Sequence, residues 1–127
     1  MIGYVTIGSN NIDRSCKFYD AAFAPLGYAR TFCEGGWAGY GPGGKKEGLE
    51  IYIATPANGE PATLGNGSML AFKAPSRAAV EACHAAALAN GGTDEGAPGV
   101  RGEYDPPFYG AYARDPEGNK FVAYFKG

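Results

Sequence analysis

The strongest constraint on the fold of this chain is a pattern that occurs twice. Residues 2–8 alternate and are rich in β-branched side chains, which predicts a strand, and a helical pattern follows. Setting residues 4–7 against residues 69–72 gives an offset of 65 residues, after which the following helices superpose in order. Each half therefore offers a sheet with one covering helix, and its other face must find the second half or a second chain.

The helices are bounded by clear start and stop signals. Asn10 or Asn11 can cap the first helix, and Pro25 and Gly27 end it. Its buried face is predicted from four residues at helical spacing: Ile12, Cys16, Tyr19 and Phe23. In the second half Ser76 caps a helix that Gly91 terminates, and the inner face of this helix comprises Val80, Cys83, His84, Ala87 and Leu88.

The remaining segments complete a single domain over residues 1–127. Strands are predicted near residues 28–34, 36–41, 49–56, 68–75, 108–115 and 120–125, whereas residues 93–107 are predicted to be mostly loop. The modules span about 1–56 and 66–127, joined by a polar linker at 57–65. We therefore expect an α+β fold in which a strand–helix–strands module occurs twice.

Composition excludes several classes of function. With 45% hydrophobic and 19% charged residues the chain should fold, and a net charge of −2 without a basic run argues against nucleic-acid binding. Neither a signal peptide nor a membrane-spanning segment is predicted. The three cysteines lack metal-site spacing and are predicted to be inert core residues of a reduced, cytoplasmic protein.

A glycine-rich stretch beginning at Gly39 imitates a phosphate-binding loop. Residues 39–44 match G-x-G-x-x-G, and Lys45 extends the match toward a P-loop. Both motifs need a helix directly after the glycines, but here an alternating strand follows, and Pro42 removes one amide from the supposed cradle. We therefore predict a hairpin turn.

Three segments together resemble the vicinal oxygen chelate superfamily of glyoxalase I, extradiol dioxygenases and bleomycin-resistance proteins. They are VTIGSNNIDRSCKFYDAAFAPLGY, APSRAAVEACHAAALANGG and YARDPEGNKF, and the D-P-x-G-N turn of the last is the most specific. The resemblance implies an α+β fold in which two βαβββ modules form a curled mixed sheet around a cup. In the metal-dependent members four ligands line this cup: a His or Gln on the first strand, a Glu on the fourth, a His on the fifth and a Glu on the eighth. The resemblance also implies a homodimer.

Carrying these ligands over one at a time leaves a single ligating group. The four positions fall at Tyr4, Glu50, Met69 and Val122. Only Glu50 keeps a ligating carboxylate, since Tyr is an uncommon ligand, Met is soft and Val cannot bind a metal. We therefore expect no metal and no other cofactor, although an atypical divalent site stays open as an alternative.

Strand alternation predicts which residues line the cup. The predicted lining is largely apolar and aromatic and comprises Tyr4, Thr6, Glu50, Tyr52, Met69, Ala71, Val122 and Tyr124. The resemblance further implies that five residues lie on segments that flank its mouth: Trp37, Tyr40, Arg101, Tyr104 and Tyr109. Plain packing is the alternative for all of these tyrosines. Glu50 is the candidate catalytic residue, a general base or neutral donor if it is buried, and otherwise a half-exposed strand-edge glutamate.

Two functional hypotheses follow from this lining. The first is a metal-free protein that binds a small, partly aromatic molecule in the cup. The second is an enzyme, a glyoxalase-like lyase or isomerase or a dioxygenase, which uses Glu50 and tyrosines or an atypical metal. A purely structural partner module has no positive support. His84, the only histidine, is predicted to be a packed, hydrogen-bonded helix residue, and Asp105 a turn carboxylate.

Overall fold

A computed structural model describes residues 1–127 and contains the predicted repeat. The first module consists of β1 (Val5–Gly8), α1 (Ile12–Phe23), β2 (Tyr28–Glu34), β3 (Trp37–Pro42) and β4 (Ile51–Ala54). The second consists of β5 (Leu70–Lys73), α2 (Arg77–Ala89), β6 (Thr93–Val100), β7 (Phe108–Arg114) and β8 (Lys120–Lys126). The first strands and the helices of the two modules both begin 65 residues apart, which confirms the offset.

Each module forms its own four-stranded mixed sheet. The strand orders are β1-β4-β3-β2 and β5-β8-β7-β6, with β1 parallel to β4 and β5 parallel to β8. The other neighbours are antiparallel. The α+β class and the two βαβββ units are therefore as predicted, and the strands form two sheets whose unpaired edges include β1 and β5.

The helix ends follow the predicted local signals. Asn11 is the cap of α1, and its side-chain oxygen accepts a hydrogen bond from the Arg14 N–H at 3.0 Å. A short 3₁₀ turn, Ala24–Leu26, carries the chain to Gly27, whose φ of 82° is a left-handed conformation that glycine adopts without a steric cost. Ser76 caps α2 by accepting from the Ala79 N–H at 3.1 Å. Neither helix has the length and apolar character needed to span a bilayer.

Residues 93–107 correct a prediction, because their first eight residues form β6 rather than loop. Glycines and Pro98 within the segment argue against a central strand. However, β6 lies at the edge of its sheet and pairs only with β7, with register shifts on either side of Gly96. An edge strand tolerates proline because one row of its N–H groups has no partner to lose.

The glycine-rich stretch is divided between a strand and a turn. It connects β3 to the antiparallel β4 and leads into a three-residue 3₁₀ turn, so no helix follows, as predicted. Gly39 and Gly41, however, belong to β3 itself. A Cβ on Gly39 would lie 2.5 Å from the Phe32 ring, and one on Gly41 would lie 2.4 Å from the Gly48 carbonyl oxygen, so neighbouring groups use the space that these glycines leave.

One core beneath the two helices joins the modules. The helices pack against each other, and each covers strands of its own module. Across the module boundary Phe23 contacts Phe72 at 5.1 Å between ring centroids, and Phe18 contacts Phe121 at 6.1 Å. Cys16 and Cys83 are buried in this core, but Cys33 is exposed on β2, which corrects the prediction that all three cysteines are core residues.

The turn at residues 115–119 fastens the second module to the first. Asp115 is 3% exposed and accepts a hydrogen bond from the Tyr19 hydroxyl of α1 at 2.6 Å. Glu117 accepts from the Asn10 N–H at 2.9 Å and from Arg14 at 2.7 Å, and Asn119 donates to the Gly8 carbonyl at 3.2 Å. The D-P-x-G-N turn thus does more than reverse the chain, since Glu117 and Asn119 reach the β1–α1 junction and Asp115 reaches the middle of α1.

Candidate functional site

The sheet faces opposite the helices carry the candidate site. On the first module Tyr52 contacts Tyr4 edge-to-face at 5.0 Å between ring centroids, Trp37 at 5.8 Å and Phe32 at 6.3 Å. Tyr4 and Trp37 are 61% and 42% exposed. We call these four residues the aromatic cluster. Edge-to-face packing leaves ring surface open, and open ring surface is what a flat organic molecule stacks against.

Gly39 makes this cluster possible. It pairs with Tyr52 across β3 and β4, and the Phe32 ring occupies the place where a side chain at residue 39 would lie. The backbone at this point is therefore covered by an aromatic ring from the neighbouring strand β2. Phe32 reaches this face because a register shift between Arg30 and Phe32 changes the alternation of β2.

A cleft of about 620 Å³ lies where the two modules meet. Both edge strands contribute to it, β1 through Val5 and β5 through residues 70–73, together with Tyr4 just before β1 and Met69 just before β5. A neighbouring cleft of about 600 Å³ includes Thr6 and again Met69. Of the predicted lining, Tyr4, Glu50, Met69 and Ala71 share the first cleft.

Glu50 is exposed, so the condition for a buried general base is not met. Its carboxylate accepts a hydrogen bond from the Tyr28 hydroxyl, and both residues lie in the wall of the first cleft. Burial, and then the hydrogen bond to Glu50, raise the pKa of Tyr28 to about 12. The pair therefore consists of a hydroxyl that keeps its proton beside an accessible carboxylate.

The strand register also shows that Glu50 is not equivalent to Val122, the metal-ligand position that the resemblance implies in the second module. Thr6 pairs with Tyr52 in the first module, and Ala71 pairs with Val122 in the second. Since Thr6 and Ala71 are equivalent under the 65-residue repeat, Tyr52 is the counterpart of Val122. Glu50 lies two residues earlier. Glu50 and Val122, which the resemblance assigns to the same role in the two modules, are therefore not equivalent.

The second module carries its own aromatic and charged surface. Phe108 and Tyr124 stack at 5.1 Å with an interplanar angle of 9°, and Val122 is 1% exposed and so forms a floor. A cavity of about 480 Å³ includes Arg101 and Tyr104, which the structure thus brings together. Sequence reasoning missed two further residues of this cavity, Phe108 and Tyr112. Their alternation along β7 was the available signal.

Two of the residues expected at the cup mouth lie elsewhere. Tyr40 is fully buried in the core, where its hydroxyl donates to Asp20 at 2.8 Å. Tyr109 packs against the core beneath α2, and its hydroxyl donates to Glu81 of that helix at 2.5 Å. Both sit one residue out of phase with the open faces, so they point to the helices. His84 is packed as predicted, with its Nε2 2.9 Å from Asp94.

The paired βαβββ modules and the cleft between them define a class of protein, and the comparisons identify it. The family model of the Glyoxalase/Bleomycin resistance protein/Dioxygenase superfamily matches residues 1–123, so the chain belongs to this superfamily. No curated protein matches the chain.

Solved structures agree with this family. A glyoxalase/bleomycin resistance protein from Albidiferax ferrireducens T118 is 41% identical, with a TM-score of 0.86 and 98% of each chain covered. A glyoxalase/bleomycin resistance protein/dioxygenase family enzyme from Burkholderia phytofirmans PsJN is 21% identical, with a TM-score of 0.71 over 99% of this chain and 98% of the other. A glyoxalase-related enzyme from Fulvimarina pelagi shares the fold at 18% identity and a TM-score of 0.75, covering 98% and 87%.

The side chains at the metal-binding positions do not fit a divalent ion. The Tyr4 ring packs against Tyr52, the Glu50 carboxylate accepts from Tyr28, and Val122 is a buried hydrocarbon. Nowhere do three or more His, Cys, Asp or Glu side chains come together as a metal-binding group. Catalytic metal sites typically use three protein ligands, so we derive no chemical step through a metal ion.

Proposed function

We propose that this protein binds a small, partly aromatic organic molecule on the open faces of its two sheets, without a divalent ion. The observation that carries the proposal is the exposed aromatic cluster around Tyr52, next to the cleft between β1 and β5. Exposed aromatic rings gathered on one face beside a concave cleft are typical of ligand sites. The few polar groups nearby, Thr6 and the Tyr28–Glu50 pair, would orient the ligand.

A ligand screen by thermal shift tests the proposal first. Aromatic metabolites, drugs and divalent metals are each added to metal-free protein, and we expect aromatic compounds, not metals, to raise the melting temperature. Trp37 is the only tryptophan and belongs to the cluster, so its fluorescence then gives the dissociation constant of each hit. A stoichiometric divalent ion that binds in the cleft would refute the metal-free part.

Two tyrosine variants on opposite faces of the sheets sharpen this test. Tyr52→Leu removes the central ring of the cluster, and we expect affinity for an aromatic hit to fall severalfold, because an aromatic contact contributes about 0.5–1.5 kcal/mol. Tyr109→Leu is the matched control, since Tyr109 is a partly buried strand tyrosine that faces α2. Equal effects of the two changes on affinity would contradict the assignment of the site to the open face.

The Tyr28–Glu50 pair supports a second candidate, a glyoxalase-like lyase or isomerase reaction with Glu50 as the proton acceptor. The carboxylate is accessible from the cleft and bonded to a hydroxyl whose pKa is raised to about 12. Although Glu50 is not buried, its carboxylate is open to a bound molecule and can take a proton from it, while the neighbouring hydroxyl stays a hydrogen-bond donor. Glu50→Gln should abolish turnover with little change in affinity; unchanged turnover would exclude this role.

We also propose that the protein forms a homodimer. Several large apolar residues near the edge strands are exposed in the single chain, including Ile2 at 82% and Met69 at 45%. Exposed apolar surface of this kind at sheet edges favours association with another copy. Light scattering coupled to size-exclusion chromatography measures the mass directly, and a mass of 13.2 kDa, that of one chain, would refute the dimer.

A further inference from the structure

The cavity of the second module combines aromatic walls with positive charge. Tyr104, Phe108 and Tyr112 contribute rings, and Arg101 and Lys126 contribute cations, in a volume of about 480 Å³. Lys120 lies just outside it, with its Nζ 5.5 Å from the centroid of the Tyr112 ring. Arg101 approaches the same ring at 5.6 Å. Two cations therefore lie within cation–π distance of one ring.

The guanidinium of Arg101 is held in a defined place. One of its nitrogens donates to the Ala97 carbonyl, which is its only hydrogen bond to the protein. A Cβ on Gly99 would lie 2.9 Å from Nη1, and a Cβ on Gly96 would lie 3.1 Å from Nη2. The guanidinium thus occupies space that only glycines leave open. Since guanidinium carries five N–H donors, most of them stay available to a ligand.

None of these cations has an anionic partner in the protein. The ion pairs of the chain involve Arg14, Arg30, His84 and Arg114 instead. Asp105 lines the cavity but is exposed and forms no ion pair.

Asp94 is a carboxylate whose pKa the charge of Arg101 lowers, and it already has two hydrogen-bond partners. It accepts from the Gly96 N–H at 3.0 Å and lies 2.9 Å from His84. The bond from Gly96, then that from His84, and more weakly the charge of Arg101 lower its pKa. The cations of the cavity therefore have no ion-pair partner, and a bound anion would supply one.

We propose that this cavity binds the anionic group of a small aromatic ligand, and that the group is a carboxylate. A planar carboxylate matches the fork of a guanidinium, and the ring of the ligand would lie among Tyr104, Phe108 and Tyr112. This inference rests on the proposed function and names the ligand class: aromatic acids rather than neutral aromatic compounds. The aromatic cluster of the first module does not require its ligand to be charged.

Three probes test the inference on the full-length protein, with binding followed by amide chemical shifts. They are 2-naphthoate, its neutral analogue 2-naphthamide, and inorganic phosphate. We expect 2-naphthoate to bind at least about tenfold more tightly than 2-naphthamide, which is the effect of one charge-assisted hydrogen bond. The largest shifts should lie at Gly96 and Gly99, beside the guanidinium.

Three variants separate charge from position. Arg101→Gln should remove the preference for 2-naphthoate without changing the affinity for 2-naphthamide. Gly99→Ala keeps the charge but displaces the guanidinium, and it should weaken 2-naphthoate binding as well. Arg77→Gln is the matched control, because Arg77 also lies over a tyrosine, Tyr109 at 4.7 Å, but on the helix side. It should leave the preference intact.

The outcomes distinguish this inference from the proposed function. If 2-naphthoate and 2-naphthamide bind with equal affinity, the anion site is refuted and the proposed aromatic ligand stands. If neither binds, the anion site is refuted, and the ligand screen decides the proposed function separately. If phosphate displaces 2-naphthoate at a similar concentration, the site accepts any anion and the assignment to carboxylates is overturned. Loss of the preference in Arg77→Gln as well as in Arg101→Gln would refute the assignment to this cavity.

Discussion

Tyr19→Phe is the change that most directly tests how the two modules are held together. Both Tyr19 and Asp115 are almost completely buried, at 1% and 3% exposure, and the hydroxyl donates to Oδ2 of Asp115 at 2.6 Å. Burial, and then the charge of Asp115, raise the pKa of Tyr19 well above its ordinary value, so the hydroxyl keeps its proton and donates. Phenylalanine removes this donor and leaves the ring packing unchanged.

The expected loss of stability follows from the hydrogen-bond donors that Asp115 keeps. Asp115 also accepts from the backbone N–H groups of Glu117 and Asn119, each at 2.9 Å, and from the Asn119 amide at 2.9 Å. The carboxylate therefore keeps three of its four donors, and the change removes one charge-assisted hydrogen bond, at a cost of about 1.5–3 kcal/mol. Since both partners are almost completely buried, we expect a value in the upper half of that range.

Urea denaturation followed by far-UV circular dichroism measures the loss. The midpoint should fall while the slope m stays the same, because the surface exposed on unfolding does not change. Tyr40→Phe is the matched control: Tyr40 is equally buried, but its acceptor Asp20 has a side chain 41% exposed, so water can replace the hydroxyl. We expect Tyr40→Phe to lower the free energy of unfolding by about 0.5–1.5 kcal/mol. A loss at Tyr19 no greater than at Tyr40 would refute this account of the module contact.

Three further predictions address pH, thiol reactivity and the aromatic cluster. Burial acts to raise the pKa of Glu117, but hydrogen bonds from the Asn10 backbone and from Arg14 outweigh it and lower the pKa. The stability that Glu117 contributes is therefore present above the unfolded pKa of about 4.3 and is lost as pH falls through the folded pKa. Glu117→Gln should flatten this loss of stability at acid pH in pH-dependent denaturation, and an unchanged profile would contradict it. Ellman's reagent should titrate one thiol, Cys33, in the native protein and three in denaturant, because Cys16 and Cys83 are buried and burial raises the pKa of Cys83 to about 12. Fast reaction of all three thiols in the native protein would contradict this burial. Gly39→Ala should displace the Phe32 ring, weaken aromatic ligands severalfold and leave the protein folded, which titration by tryptophan fluorescence tests; unchanged affinity would exclude Phe32 from the site.

Local signals predicted most of the elements because each depends on neighbouring residues. Asn11 and Ser76 as caps and Gly27 as a stop act within one helical turn, and the structure confirms all three. The strand β6 was missed because its glycines and Pro98 have poor strand propensity, and only pairing with β7 makes the segment extended. Propensity describes the isolated segment, whereas strand formation depends on the neighbour.

The candidate site was predictable to the extent that alternation fixed which face a residue occupies. Tyr4, Thr6 and Tyr52 required only the period of a strand. The partner of a charged group required the third dimension: nothing in the sequence near Glu50 indicates that Tyr28, 22 residues earlier, donates to its carboxylate. In the same way, Phe32 joins the aromatic cluster only because β2 shifts register two residues after Arg30.

The sequence by itself determined the repeat, the two helices and the absence of a phosphate-binding helix after Gly44, since these depend on hydrophobic period and on glycine and proline geometry. The tertiary structure decided the rest. It showed that Tyr52 rather than Glu50 is the counterpart of Val122, and that Arg101 lies over the Tyr112 ring without an ion-pair partner. The physical reason is that strand register and side-chain partners are set by contacts between segments far apart in the chain, and no local preference encodes them.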